Sequence, residues 1–305
     1  MKYGPLIFLA ALLAMAGSWM GLVLVPQLQV GELVQTNTVP ENATYPLARP
    51  GLASEGLQVY RANGCASCHT EQLGQTSTTC EVVLAAVGTN QSALLSALLK
   101  VKPELGEATA KTMLTELPQT VLVATNREDA DAVAKDLGVG GAKARIRIVP
   151  QGPDLARGWG KRRTVAEDFL FDYPVMLGEV RIGPDLADVG TRRPDPNWHL
   201  RHLYAPQIEV KGSVMPPYRF LFETRRIDQA PSPDALSLPP QLAAKPGYEI
   251  VPRPAAKALV AYLASLRVDA SLFVAPYSVA TPAATNQPAA STNSAASAST
   301  NSPPK

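Results

Sequence analysis

The pentapeptide Cys65-Ala66-Ser67-Cys68-His69 is the most informative stretch of this 305-residue chain. Two thiols separated by two residues and followed at once by a histidine form the Cys-x-x-Cys-His pattern of c-type haem attachment. Each thiol can add to one vinyl group of a porphyrin, and the histidine can give an axial nitrogen to the iron. We therefore predict one covalently bound haem c, held by Cys65, Cys68 and His69, with one-electron transfer as its chemistry.

Three other interpretations of this pattern are a chance pentapeptide, a redox dithiol and half of a zinc site. A zinc ribbon needs a second cysteine pair, and Cys80 is the only cysteine left. We expect Cys80 to be a small buried side chain. The net charge is +2, the charged fraction is 18%, and no basic run occurs, so we predict no nucleic-acid partner.

The N-terminal stretch lacks charge from Tyr3 to Gly31 and is nearly all apolar from Pro5 to Val25. At about 1.5 Å per residue it can cross a hydrocarbon core of about 30 Å. A cleaved signal peptide is the alternative, because Ala14-Met15-Ala16 resembles a cleavage site. The apolar run is too long for a signal peptide, so we predict a retained transmembrane anchor over residues 1–26.

The charges that flank this stretch predict its orientation. Lys2 precedes the anchor, and Glu32 is the first charged residue after it. This asymmetry predicts that the N-terminus is on the cytoplasmic side of the membrane and that the rest of the chain is outside. Because haem c is attached outside the bacterial cytoplasm, we predict a single-pass protein of the bacterial inner membrane with its haem domain on the periplasmic side.

The segments around the motif differ in composition. Residues 27–50 are rich in Thr, Asn and Pro and indicate a linker. A short helix is expected from Ser54, as N-cap, to Gly64, and a second from Ala255 to Leu266. Residues 269–305 are dominated by Ala, Ser, Thr, Asn and Pro, which predicts a disordered tail.

Residues 80–149 have the pattern of a separate small α/β domain, β-α-α-β-α-β. This segment resembles the C-terminal domain of the bacterial ribosomal stalk protein, without most of the basic residues of that family's second helix. The pieces that carry the resemblance are Val82-Val83-Leu84-Ala85-Ala86-Val87-Gly88-Thr89-Asn90, Leu105-Gly106-Glu107-Ala108, Leu117-Pro118 and Glu128-Asp129-Ala130. We interpret it as an insert that serves as a spacer or docking module.

With the insert set aside, the remaining motifs resemble subunit II of cbb3-type cytochrome c oxidase, a membrane-anchored mono-haem cytochrome c. The resemblance covers residues 1–79 and about 150–268. It rests on Gly183-Pro184-Asp185-Leu186, Trp198-His199-Leu200-Arg201-His202 and Met215-Pro216-Pro217-Tyr218, in this order behind the anchor and the haem motif. It implies a mainly α class I cytochrome c domain, formed by residues 51–79 and 150–268. The family's usual Arg-Pro step after the haem motif is replaced by Glu71-Gln72-Leu73-Gly74.

The sixth iron ligand must come from a methionine or a histidine. Outside the anchor and the insert, the candidates are Met176, Met215, His199 and His202. Once the insert is left out, Met215 follows His69 at a separation plausible for a class I cytochrome. Two prolines stiffen its loop, so a thioether is held at low entropic cost. With the resemblance, this favours Met215 and leaves Met176 as the second candidate.

The resemblance also implies roles around the haem. Pro184 would accept a hydrogen bond from His69 Nδ1, which orients the ring. Arg192 would contact one haem propionate, and Trp198 would donate its indole N–H to the other. We expect His199 and His202 to pack or hydrogen-bond near the haem or a subunit interface, without an iron role.

Together these features predict a cytochrome that takes electrons from a donor cytochrome and passes them to the haem-copper catalytic subunit of a cbb3-type oxidase. Other cytochrome c subunits of the complex are expected partners. With both axial positions filled, the chain would have no oxygen-reducing site of its own. The alternatives are a cytochrome subunit of another respiratory complex, such as nitric oxide reductase, and a haem-bearing assembly or sensing protein.

Overall fold

The computed structural model describes residues 3–31, 33–138 and 141–278. Most of the predicted disordered tail, from residue 279 onward, lies outside the described residues. The helices and strands in chain order are α1 Gly4–Trp19, α2 Val25–Val30, β1 Thr36–Asn37, β2 Thr44–Tyr45, α3 Gly51–Ala62, β3 Ser77–Ala86, α4 Gln91–Val101, α5 Glu107–Thr115, β4 Gln119–Ala124, α6 Arg127–Gly138, β5 Lys143–Gln151, α7 Pro153–Ala156, α8 Val189–Arg192, α9 Pro196–Tyr204, α10 Pro206–Glu209, β6 Phe222–Arg226, β7 Tyr248–Pro252 and α11 Pro254–Ser265.

The described chain divides into two compact units. The motif unit comprises the residues up to Cys80, a short stretch Ala124–Arg127, and Arg147–Ser278. The insert unit comprises Glu81–Val123 and Glu128–Ile146. The haem motif and all the candidate site residues named above belong to the motif unit.

The N-terminal stretch forms the predicted apolar helix. It runs continuously over Gly4–Gln29, because a π-helical turn at Met20–Leu24 joins α1 to α2. Its most apolar window has a mean hydropathy of 2.2, and none of that window is buried. The helix is therefore long and apolar enough to cross a membrane. A signal sequence has the same properties, so retention of the anchor stays a prediction.

The predicted linker is shorter and more ordered than expected. The helix continues to Val30 rather than ending at residue 26. Strands β1 and β2 then form a small antiparallel hairpin, with Thr36 opposite Tyr45. The Tyr45 hydroxyl donates to Asp168 Oδ1 at 2.8 Å, and Arg49 donates to both carboxylate oxygens of Asp172 at 2.7 Å. These contacts hold the segment against the motif unit.

The core of the motif unit forms where α3 crosses α11. Gly56 lies at the crossing, where an added Cβ would be 2.7 Å from the Cβ of Tyr262, so only glycine permits this approach. The rings of Tyr60 and Tyr262 lie 5.2 Å apart, and both side chains are buried. Burying side chains of this size contributes about 1.5–3 kcal/mol each, which makes the crossing the main source of stability here.

The start of α3 differs from the sequence-based expectation. The helix begins at Gly51 and follows Pro50, which has no capping side chain. Ser54, predicted as the N-cap, lies within the first turn and donates weakly to the Pro50 carbonyl at 3.5 Å. The prediction was wrong because Ser is a strong N-cap signal, while Pro50-Gly51 gives a helix start with no side-chain acceptor.

The motif unit contains a hairpin that the sequence analysis missed. Strands β6 and β7 pair antiparallel, with Phe222 opposite Pro252. The unit is thus helical with two small two-stranded sheets. The class I cytochrome c fold stays a prediction.

The predicted disordered tail begins too early. Residues 270–278 belong to the motif unit, and Leu272 and Ala275 are each 1% exposed. Leu272 pairs as an isolated bridge with Thr38. A low-complexity composition did not prevent order here because Leu272 supplies an apolar side chain that the hairpin segment covers.

The insert unit has the predicted order of elements, β3-α4-α5-β4-α6-β5. Its three-stranded sheet has the strand order β4-β3-β5. Asn90 caps α4 by accepting a hydrogen bond from the Ala93 amide at 3.1 Å. The large apolar side chains that are buried most completely in this unit are those of Val82, Leu84, Leu94, Leu98, Val121 and Leu137.

Removal of the insert should leave the motif unit folded. The Thr76 amide donates to the Gln151 carbonyl at 2.9 Å, so the chain leaves and re-enters this unit at neighbouring points. Replacing residues 77–150 with an Asn-Gly turn should therefore preserve helical circular dichroism and haem staining at the Cys65–His69 motif. Loss of both signals, with the full chain measured in parallel, would show that the insert is part of this fold.

Candidate haem site

The Cys-x-x-Cys-His motif lies directly after α3. The helix ends at Ala62, and Gly64 adopts a left-handed conformation with φ of 66°. This turn, which glycine adopts without steric cost, leads into a 3-10 turn at Cys65–Ser67. The His69 amide donates to the Cys65 carbonyl at 3.0 Å. Both thiols and the imidazole are thereby carried on one tight turn.

A later segment of the chain pairs with the motif through its backbone. Residues 66–71 form four hydrogen bonds with residues 177–186. They are Glu71 N to Leu177 O at 3.0 Å, Glu179 N to Ala66 O at 2.9 Å, Gly183 N to Cys68 O at 2.9 Å and Leu186 N to Thr70 O at 2.7 Å. The motif is therefore held on a framework more than a hundred residues away in sequence.

This pairing fixes the imidazole of His69. Its Nδ1 lies 2.8 Å from the Pro184 carbonyl, which can only accept, so Nδ1 carries the proton. Nε2 then has a free lone pair, as metal ligation requires. Burial lowers the pKa of His69, and the hydrogen bond to Pro184 opposes that effect. Burial is the larger contribution and favours the neutral imidazole, while the hydrogen bond orients the ring.

Gly183 permits the close approach of this ring. A Cβ at that position would lie 2.6 Å from Nδ1 and 2.8 Å from Nε2 of His69. Gly178, with φ of 84°, is also confined, because its Cβ would lie 2.7 Å from the Thr70 Cα. Both glycines are on the segment that pairs with the motif, and they let it lie directly against His69 and Thr70.

The two candidate methionines pack against the same apolar cluster. Met215, Met176 and Cys65 are half-buried there. The Met215 amide donates to Ser213 Oγ at 3.3 Å. Met176 directly precedes residues 177–186, the segment that pairs with the motif. Both methionines share the cluster with Cys65, and the choice of Met215 as the sixth iron ligand stays a prediction.

Three buried side-chain polar atoms have no hydrogen-bond partner within the described part of the chain. They are the Tyr60 hydroxyl, Nε of Arg192 and Nδ1 of His202. Arg192 also donates through Nη2 to the Asp185 carbonyl. Burial lowers the pKa of Arg192, and it lowers that of His202 to about 4. The unpaired Nε–H of Arg192 is a donor that fits an acidic group of a bound ligand.

The other predicted residues of α9 have aromatic or backbone partners. Trp198 stacks on His202 with ring centroids 4.8 Å apart and an interplanar angle of 10°. His199 is 3% exposed, and its Nε2 lies 2.8 Å from the Arg193 carbonyl. His199 is thus buried and hydrogen-bonded within the motif unit. Its expected position near the haem or a subunit interface stays a prediction.

Two buried acids near the motif were missed by the sequence analysis. Glu71 is 1% exposed and accepts from the Tyr262 hydroxyl at 2.9 Å on both carboxylate oxygens. Burial raises the pKa of Glu71 to about 8. Asp185 is fully buried and accepts from Thr70 Oγ1 at 2.6 Å and from the Gln72 amide at 2.8 Å. In the sequence, the only signal for either buried acid is its place beside a motif: Glu71 follows Cys-x-x-Cys-His closely, and Asp185 follows Gly183-Pro184.

Across residues 3–31, 33–138 and 141–278, no group of three or more His, Cys, Asp or Glu side chains is arranged to hold a metal ion. Cys80 is buried, as predicted.

Comparison with known protein families connects this site to respiration. Residues 148–245 match the family model described as "Cytochrome C oxidase, mono-heme subunit/FixO". The matched stretch includes Pro184, Arg192, Trp198 and Met215. A search of curated proteins found no match. Over this stretch the chain is similar to the mono-haem subunit of a cytochrome c oxidase, which confirms the resemblance to subunit II of the cbb3-type enzyme and supports a haem cofactor.

Proposed function

We propose that this chain is a membrane-anchored c-type cytochrome that relays electrons to the haem-copper catalytic subunit of a cbb3-type oxidase. The observation that carries the proposal is the arrangement of His69. Its Nδ1 is bonded to Pro184 and its Nε2 is available, on the same turn as the two thiols. The family match adds the type of complex.

Five residues would hold the cofactor. Cys65 and Cys68 would form the thioether bonds, and His69 and Met215 would be the two axial ligands. Arg192, whose buried Nε lacks a partner among the described residues, would donate to a propionate. The bound haem supplies one-electron transfer. Because a thioether ligand raises the reduction potential relative to a second histidine, this pair suits a donor to an oxygen-reducing partner.

Trp198 is the proposed donor to the second haem propionate, through its indole N–H. Its parallel stacking on His202 would set the direction of that donor. Aromatic stacking of this kind contributes about 0.5–1.5 kcal/mol, enough to hold one ring orientation.

Oxygen reduction is assigned to the partner. With His69 and Met215 both bound to iron, no axial position would remain for oxygen. The chain would therefore receive electrons from a donor cytochrome and pass them to the catalytic subunit. Other cytochrome c subunits of the complex would be its neighbours. The anchor would place this exchange at the periplasmic face of the bacterial inner membrane.

Loss of either thiol should remove covalent haem. Cys65→Ala or Cys68→Ala leaves at most one thioether bond, and we expect a large decrease in haem stain on a denaturing gel. Cys80→Ala is the matched control, because Cys80 is buried elsewhere and should leave the stain unchanged. Wild-type staining of both motif variants would contradict the cytochrome assignment.

Substitution of the axial methionine should open the iron. Met215→Ala should abolish the weak near-infrared absorption of a ferric iron–methionine bond and allow the reduced protein to bind carbon monoxide. Met176→Ala is the control and should change neither signal. If only the Met176 variant loses the absorption, the ligand assignment moves to that residue.

A side chain at position 183 should displace the axial histidine. Gly183→Ala places a Cβ against the His69 ring, and overpacking of this kind costs about 1–3 kcal/mol. We expect a lower melting temperature and a partly high-spin ferric spectrum. Gly51→Ala is the matched control, since nothing lies within 4 Å of its added Cβ. An unchanged spectrum in the Gly183 variant would separate this glycine from iron ligation.

A further inference from the structure

Several large apolar side chains are exposed close to the end of the anchor helix. Phe273 is 91% exposed, Leu47 75% and Val34 74%. Val39 and Val274 are 45% and 47% exposed. We call these five residues the anchor-proximal patch. None of them belongs to the haem site or to the insert unit.

Hydrogen bonds tie the members of the patch to the two ends of one hairpin. Gln35 Nε2 donates to the Pro46 carbonyl at 2.8 Å, so the segments that carry Val34 and Leu47 lie next to each other at its open end. The Val39 amide donates to the Ser271 carbonyl at 2.8 Å, next to the bridge between Thr38 and Leu272.

A tight turn explains why Phe273 is exposed. Leu272 and Ala275 exchange backbone hydrogen bonds at 3.3 and 3.1 Å, and both are 1% exposed. Phe273 and Val274 lie between them, at the tip of this turn, and their side chains project from it.

The patch is rigidly attached to the motif unit. Arg49 forms an ion pair with Asp172 at 2.7 Å, and the Arg49 Nη1 donates to the Ser265 carbonyl at 3.1 Å. Arg162 and Asp168 form a second ion pair, at 2.8 Å, with both side chains buried. Both pairs lie beneath the hairpin that carries Val39, so the patch moves with the motif unit.

The length of the chain limits how far the patch can lie from the anchor. The helix ends at Val30, and Gln35 is already bonded to the hairpin segment. Five residue steps reach at most about 17 Å. The polar zone on each side of the hydrocarbon core is about 5–8 Å thick. The patch therefore starts no more than about 17 Å from the end of the anchor helix.

We propose that the anchor-proximal patch rests in the boundary between headgroups and acyl chains of the bilayer that the anchor spans. This rests on the proposed membrane anchoring. A lipid surface is the occupant because the short tether holds the patch near the bilayer in every molecule, with or without a partner subunit. Contact at the patch would set the tilt of the motif unit on the membrane.

Charges at the margin of the patch fit this placement. Arg163 is exposed, and its Nη2 donates to the Val274 carbonyl at 2.9 Å. The exposed Lys161 Nζ lies 5.3 Å from the centroid of the Tyr277 ring. Both cations can reach lipid phosphates. The exposed Glu41, in the hairpin turn, would have to remain on the aqueous side.

The test measures the environment of nitroxide labels on the full haem-loaded chain. The chain is reconstituted in nanodiscs of phosphatidylcholine and phosphatidylglycerol without any other protein. Labels are placed one at a time at Phe273→Cys and Leu47→Cys, in a Cys80→Ala background. Phe220→Cys is the matched control, an aromatic position that is 62% exposed and outside the patch. Leu12→Cys reports on the anchor helix itself.

The measured quantity is the ratio of collisions with oxygen to collisions with a water-soluble nickel chelate. At Phe273 and Leu47 we expect a ratio at least about threefold above that at Phe220, because interfacial surfaces sink about 5–10 Å into the boundary. Haem absorbance and circular dichroism of each labelled chain confirm that it is folded.

The contrary results separate the two proposals. A lipid-like ratio at Leu12 with Phe220-like ratios at Phe273 and Leu47 overturns the patch and leaves the anchor intact. An aqueous ratio at Leu12 overturns the anchor and the patch with it. If Phe273 is aqueous in nanodiscs but shielded from both reagents in the assembled oxidase, a partner subunit covers the patch and the lipid assignment is wrong.

Discussion

The backbone pairing of residues 66–71 with residues 177–186 is the constraint on which the site depends. A haem motif by itself is only a flexible turn with two thiols and an imidazole. The pairing packs a second segment against that turn: Gly183 lies against the imidazole ring, and the Pro184 carbonyl accepts from Nδ1. Each backbone bond contributes only about 0.5–1.5 kcal/mol net, but four of them select one orientation of the histidine.

The same constraint explains how an insert can interrupt the unit. Both paired segments lie outside it, and the chain leaves and returns at Thr76 and Gln151, which share a hydrogen bond. Nearby, Asp154 accepts from the Gly74 amide at 2.7 Å and from Arg181 at 2.8 Å. Contacts within the motif unit thus hold together the two chain segments that the insert separates. An inserted domain costs little when its two ends are already neighbours in the host.

Two ion pairs tie the segment after the anchor to the rest of the motif unit. Asp172 and Asp168 accept hydrogen bonds from Arg49 and Arg162. In the α3–α11 core, the Tyr262 hydroxyl donates to Glu71, which is a hydrogen bond and not an ion pair. Removing one member of a buried pair leaves an uncompensated charge and costs about 3–5 kcal/mol. These pairs therefore give the segment after the anchor a defined position, where composition alone indicated a linker.

Local patterns in the sequence were sufficient for the elements that depend on local chemistry. The Cys65–His69 motif, the N-terminal apolar helix, the order of elements in the insert and the helix after Pro254 all follow from spacing, periodicity or composition over a few turns. The resemblance of the later motifs to an oxidase subunit extended this to the type of protein, and the family match over residues 148–245 agrees. What required the tertiary structure were contacts between distant residues: the burial of Glu71, the unpaired buried atoms of Arg192 and His202, the β6–β7 hairpin, and the order of residues 270–278. Burial and pairing depend on which distant segments meet, and a Leu in a low-complexity tail or an acid after a histidine has no local pattern that reveals its partner.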